Sequence, residues 1–438
     1  MEIDKITLAD LSILMSDDDF SVFNKVNLCR TVGGSEKLYD NFIKPLNTIE
    51  AITGIQETLK LIQKNLDHWP SQISNGSVLM IEKFYLSTID DIPANPSIVS
   101  AFTYKTFHKP DYSLVEYSVG HAFDFIKGMQ ILINHFLTND CPAPLQKILK
   151  SATHIINKEQ FEIIVVNEKA SELTVVQVLQ LARFLRHHYK TNMRELLDIY
   201  FQLDAWHGMA QAIQVYNLNF PEFIEGNTPL LQANGLYHIL LQKPVDYDIV
   251  LDPSCNFIFL TGANMAGKST FIKSVGTAVF LAHMGMAVPA VNMRLSLFDG
   301  LLSNINVADN ISKGESFFYN EVQRIKATVT KVSDGRKWLI LIDELFKGTN
   351  VEDAMKCSST VIEGLIKIQN SLFILSTHLY EIGEGLKKYP NITFNYFETQ
   401  VTGDQLKFNY HLKNGISNDR LGYLILKNEG VVDMLKKL

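Results

Sequence analysis

Apolar residues in the first half of the chain recur at helical spacing. Between Thr48 and Leu66 they fall at Ile49, Ile52, Ile55, Leu59 and Ile62, the three-and-four rhythm of one helical face. Residues 173–218 hold one glycine, Gly208, and no proline, which predicts one or two long helices. Residues 92–113 are richer in Pro, Ser, Asp and aromatic side chains and read as loop. From Asn219 to Gly235, Pro, Gly and Asn cluster as in a linker. Beyond that point short apolar runs, Phe257 to Thr261, Trp338 to Ile342 and Leu372 to Ser376, alternate with polar loops and helical stretches. The alternation predicts an α/β domain with a largely parallel sheet and function at the C-terminal ends of its strands. The expected organisation is an all-α domain over 1–230 followed by an α/β domain over 231–438.

Length and charge narrow the picture. A chain of 438 residues allows about three units, or two large ones. With 40 Lys+Arg against 47 Asp+Glu the formal charge is −7, which excludes a global attraction to nucleic acid, so any phosphate binding needs a local basic patch. The strongest candidate patch is Arg183, Arg186, His187, His188, Lys190 and Arg194. Cys29, Cys141, Cys255 and Cys357 form no CxxC pair, which argues against structural zinc and fits a reducing, cytoplasmic setting. Met1 to Phe20 lacks a basic region ahead of an apolar run, so no secretory signal is expected. Val275 to Val291 is apolar for 17 residues, short of the ~20 that span a bilayer, and reads as a buried helix followed by a loop.

The glycine-rich stretch FIFLTGANMAGKSTFI carries Gly262, Gly267, Lys268 and Ser269 in the pattern GxxxxGK[ST], between an expected strand and an expected helix. Glycines let successive backbone N–H groups face phosphate oxygens, and the helix aims its N-terminus at the same charge. In such a loop Lys268 reaches the β and γ phosphates and Ser269 offers its hydroxyl to Mg²⁺. Seventy-five residues beyond Lys268, WLILIDELFKGTN brings an apolar run to Asp343 and Glu344. A carboxylate ending a buried strand calls for a cation, which makes Asp343 a Mg²⁺ partner and Glu344 the base that orients and deprotonates the attacking water. The third run ends LSTHLYE and sets His378 where it can sense the γ phosphate or the water. Between the glycine loop and the acidic strand, DNISKGESFFYNE, with Gly314, Ser316 and Glu321, is a second anion-binding arrangement. One site does not need two such loops, so the second is expected to serve the nucleotide of another subunit and to make ATP the closing element of a homodimer.

These motifs resemble the MutS family of DNA mismatch repair ATPases. TGANMAGKST is similar to that family's phosphate loop, including Asn264 and Met265. The resemblance implies nucleotide contacts from Gly262, Ala263, Asn264, Met265, Ala266, Gly267, Lys268, Ser269 and Thr270. DELFKGTN, GESFFYNE and STH resemble the magnesium strand, the trans-acting signature and the histidine switch. Towards the N-terminus, Gly34, Leu38, Pro45 and Leu46 match the opening of the helical core, and LDIYFQLDAWHGMAQAIQVYNLNFPEF resembles the end of the lever helices. The likeness runs strongly over about 250–425 and in patches over 1–235. It implies an ABC-type P-loop ATPase domain behind an all-α core and lever domain, in a shortened form that begins at the core, without mismatch-recognition and connector domains and with a reduced clamp and dimerisation tail. Lys313, Glu315 and Phe317 depart from the signature's usual residues. The function so implied is ATP- and Mg²⁺-dependent movement on DNA in repair or recombination. The alternative is an ATP-gated adaptor whose levers hold a protein or ribonucleoprotein. For the adenine pocket, Val245 and Tyr247 are the candidates.

Overall fold

The structure is a computed structural model that describes residues 1–14, 20–306, 317–402, 405–417 and 426–435. The chain forms two compact units. One gathers Met1–Lys25, Lys44–Thr53 and Tyr216–Leu438, and the other gathers Val26–Ile43 and Gly54–Val215. The division therefore differs from a cut at residue 230. The first 25 residues and the segment after Val215 go with the α/β unit, and the expected linker holds two strands of it.

The second unit is helical. The Lys109–Phe136 helix buries Val115, Val119, Phe123, Ile126, Met129 and Ile133, a continuous apolar stripe along 28 residues. The glycine-poor stretch forms two helices, Val175–His188 and Lys190–Val215, broken at Tyr189, whose hydroxyl donates to Ile155 O at 2.9 Å. Residues 92–113, expected as loop, instead contain the Ile98–Phe107 helix. Ser97 and Ser100 form a reciprocal capping box at its start, so local polar chemistry outweighs composition. Gly34 also has its reason: a Cβ there would stand 2.1 Å from an oxygen of Asp204. That buried carboxylate accepts from Arg30 N, Thr31 N and Thr31 Oγ1 at the N-terminus of the Val32–Phe42 helix.

The first unit contains, among the described residues, strands β1 (Glu2–Ile3), β2 (Glu222–Ile224), β3 (Leu231–Leu236), β4 (Tyr247–Leu251), β5 (Phe257–Gly262), β6 (Asn292–Ser296), β7 (Gly300–Asn304), β8 (Trp338–Asp343), β9 (Ser371–Ser376), β10 (Ile392–Thr402) and β11 (Gln405–Asn414). Seven form one sheet in the order β1-β7-β8-β9-β5-β10-β11, parallel except for the β10–β11 hairpin. The other four form a second sheet, β2-β6-β3-β4. Every residue of β8 and β9 is buried, as both-face coverage of a parallel sheet requires of an uninterrupted apolar run. Trp338, Ile340 and Ile342 pack with Phe257, Phe259 and Phe373 into the core of this unit. The apolar run from Val275 belongs to the buried Lys268–His283 helix, and among the described residues no helix is long and apolar enough to cross a membrane.

Candidate active site

Register brings three strand ends together. Asp343 of β8 pairs with Ser376 of β9, Ser376 pairs with Leu260 of β5, and Gly262 follows two residues later. The loop after β5 turns through left-handed backbone at Gly262 (φ +136°), Met265 (+68°) and Gly267 (+111°) before the Lys268–His283 helix begins. A Cβ at position 262 would also meet Phe397 O at 3.1 Å. Lys268 is buried, and its ammonium donates to Gly262 O at 2.8 Å and Ala263 O at 3.0 Å. Burial lowers its pKa, against the pull of Glu344 and Asp343.

Asp343 and Glu344 have different surroundings. Asp343 is buried and accepts from Ser269 Oγ at 2.5 Å through Oδ2 and from Ser376 Oγ through Oδ1. Two hard oxygens from Ser269 and Asp343 in hydrogen-bond contact suit a small divalent cation such as Mg²⁺. Glu344 turns off the strand with φ +66°, an uncommon conformation for a side-chain-bearing residue, held by Glu344 N donating to Ser376 O at 3.0 Å. Its carboxylate pairs with His378 Nε2 at 2.8 Å and Lys347 Nζ at 3.2 Å. Burial alone would raise the Glu344 pKa. The His378 hydrogen bond and charge, with Lys347, overcome it and hold the pKa at about 2.

A cavity of about 450 Å³ opens beside the loop. Its wall includes residues 263–265 and 267–270, Glu344, and the adenine-pocket candidates Val245 and Tyr247. Gly262 and Ala266 are not part of that wall; Ala266 donates its N–H to Ala263 O at 3.3 Å. Asp343 and His378 are not part of the wall, but each contacts a residue that is, Ser269 and Glu344 respectively. Tyr247 is fixed edge-on against Phe271 and Phe397. Ser316 and Gly314 lie outside the described residues.

Sequence reasoning missed four residues here. Ser376 ends an apolar run as Asp343 does, so in-register parallel strands would have paired them. Tyr410, on the cavity wall with φ +57°, comes from the β10–β11 hairpin and had no local signal. Lys347 lay unassigned inside DELFKGTN. Lys243 lines the mouth from the loop before β4. Two of the six residues of the basic patch are tied to main-chain carbonyls: Arg183 donates to Ile92 O, and Arg186 donates to Phe84 O at 2.5 Å and Ser87 O at 2.6 Å, closing the end of the Asn75–Leu86 helix, while His187, His188 and Arg194 are exposed.

Residues 258–435, from β5 through the last described helix, match the MutS domain V family. The chain is also 28% identical over 286 residues to the DNA mismatch repair protein MutS of Staphylococcus haemolyticus, covering 63% of this chain and 32% of that one. The chain is thus similar to MutS proteins over its C-terminal part. Other MutS relatives agree. Against the Thermotoga maritima protein identity is 27% over 293 residues, covering 64% of this chain and 36% of that one. Against the Petrotoga mobilis protein it is 27% over 246 residues, 55% and 30%. The chain spans about a third of the length of these MutS relatives.

Proposed function

We propose that this MutS-like chain binds and hydrolyses Mg-ATP in the cavity beside the β5 loop and works on DNA as a homodimer. The convergence of the glycine turn, Lys268, the Ser269–Asp343 pair and Glu344 at the C-terminal ends of the central strands carries the reading. The loop's left-handed glycines leave its backbone free of Cβ atoms on a phosphate, and Lys268 exchanges its two carbonyl partners for phosphate oxygens. Ser269 and Asp343 hold the metal. Mg²⁺, when bound, neutralises phosphate charge in this chemistry. Glu344, ionised at ordinary pH, accepts the hydrogen bond of the attacking water; with a pKa of about 2 it is a weak proton acceptor, so orientation is its larger part. His378 fixes the carboxylate from behind. Tyr247, Val245 and Tyr410 offer apolar surface to the base.

The DNA role is supported by the relatives, whose names assign them to DNA mismatch repair. Titration with a fluorescent ATP analogue tests the nucleotide site. The wild-type chain should bind saturably and more tightly with Mg²⁺, and Lys268→Ala at least about tenfold more weakly. Absence of binding by the wild-type chain overturns the reading.

A further inference from the structure

The strand that ends in Asp343 and Glu344 runs into a strained loop. Glu344 and Phe346 both adopt left-handed backbone, at φ +66° and +58°, although neither is glycine. Such residues persist only where their surroundings over-determine them. The Phe317–Val332 helix supplies two grips on this loop from positions three residues apart, hence on one face. The Phe318 ring packs on Phe346 with centroids 5.7 Å apart. The Glu321 carboxylate, buried at 4% exposure, accepts the backbone N–H of Lys347 at 3.1 Å through Oε1 and of Gly348 at 3.2 Å through Oε2. Lys347 is the residue whose ammonium meets Glu344 Oε2 at 3.2 Å.

We propose that Glu321 is a positioning residue for ATP hydrolysis: by holding the Lys347 and Gly348 amides it sets where Lys347 stands and thereby how the Glu344 carboxylate is presented. A buried carboxylate with both oxygens committed to main-chain N–H groups of another element has few other uses, because burying its charge is costly unless those bonds repay it. It is not among the residues that line the cavity, so its influence falls on turnover and not on nucleotide affinity. The inference rests on the ATPase reading of the same site.

The test is a double-mutant cycle on Mg-ATP hydrolysis and ATP-analogue binding with the whole chain: wild type, Glu321→Ala, Lys347→Met and the pair. Misplacing a reacting group by about 1 Å costs up to about 100-fold in rate. Glu321→Ala should therefore lower kcat by at least about tenfold while analogue affinity stays within about twofold. In the Lys347→Met background the same change should cost much less, because the two act through one contact. Glu321→Gln, which keeps the length and one acceptor oxygen, should recover part of the rate, and it replaces Glu321→Ala in the cycle if that variant melts early. Wild-type kcat in Glu321→Ala, or equal losses in both backgrounds, overturns the proposal while leaving the ATPase reading intact. A wild-type chain that hydrolyses no ATP overturns both.

Discussion

The Ser269 hydroxyl donates to Asp343 Oδ2 at 2.5 Å, joining the first turn of the helix after the glycine loop to the end of the neighbouring acidic strand. In the proposed site this pair of oxygens is the metal's footing. Asp343→Asn keeps the size and an acceptor but removes the charge, so the Mg²⁺ concentration for half-maximal hydrolysis should rise at least about tenfold. Nucleotide binding measured without Mg²⁺ should stay near the wild-type value. An unchanged Mg²⁺ dependence contradicts the role given to Asp343.

His378 and Glu344 form a pair whose loss has a sign. The Glu344 pKa is depressed to about 2, so its paired, ionised form persists until the pH falls through that value. His378→Ala removes the hydrogen bond and charge that oppose the effect of burial, leaving Lys347 alone. The Glu344 pKa must then rise, and the acid limb of the kcat profile should move upward by about one pH unit. A limb that stays in place in the variant detaches Glu344 from that limb.

In the helical unit His207 is fully buried, stacked on Trp69 at 4.3 Å, and neither ring nitrogen has a hydrogen-bond partner. Burial, helped by Arg30, lowers its pKa from 6.5 to about 3. The folded ring stays neutral while the unfolded one takes a proton below pH 6.5. Its linkage therefore destabilises the fold as pH falls from 6.5 towards 3, by ~2 kcal/mol at pH 5. His207→Phe retains the stacked ring without the proton. Melting curves should show the variant gaining on the wild type as pH drops from 7 to 5. A constant difference between the two argues against a buried neutral histidine.

Arg186 spends its guanidinium on Phe84 O and Ser87 O and lies over the Phe84 ring at 5.4 Å. Arg186→Ala should cost about 2 kcal/mol in unfolding free energy, the range of charged hydrogen bonds. The slope of log affinity for duplex DNA against log salt should not change, because a residue that neutralises no phosphate releases no counterion. A flatter slope with unchanged stability makes Arg186 a DNA contact.

Much of the candidate site was legible because its signals are local. The spacing of Gly262, Gly267 and Lys268 dictates a turn, and the apolar runs ending at Asp343 and Ser376 dictate buried parallel strands whose ends lie side by side. Helix periodicity likewise marked Ile52, Leu59 and Ile62, which are buried. What stayed hidden depends on contacts distant in sequence. Asp10 holds the Ile305 and Asn306 amides from 295 and 296 residues away, which ties the N-terminal segment to the α/β unit. Tyr410 reaches the cavity wall through strand pairing, and within the basic run on 183–194 the carbonyl partners of Arg183 and Arg186 lie about a hundred residues earlier in the chain.

The most direct test of the central claim is to measure ATP-analogue binding and phosphate release for Glu344→Gln beside the wild type. The wild-type chain should release phosphate with Mg²⁺, and the variant should bind nucleotide within about threefold of the wild type while its turnover falls at least about 100-fold. Phosphate release by the variant at the wild-type rate would contradict that claim.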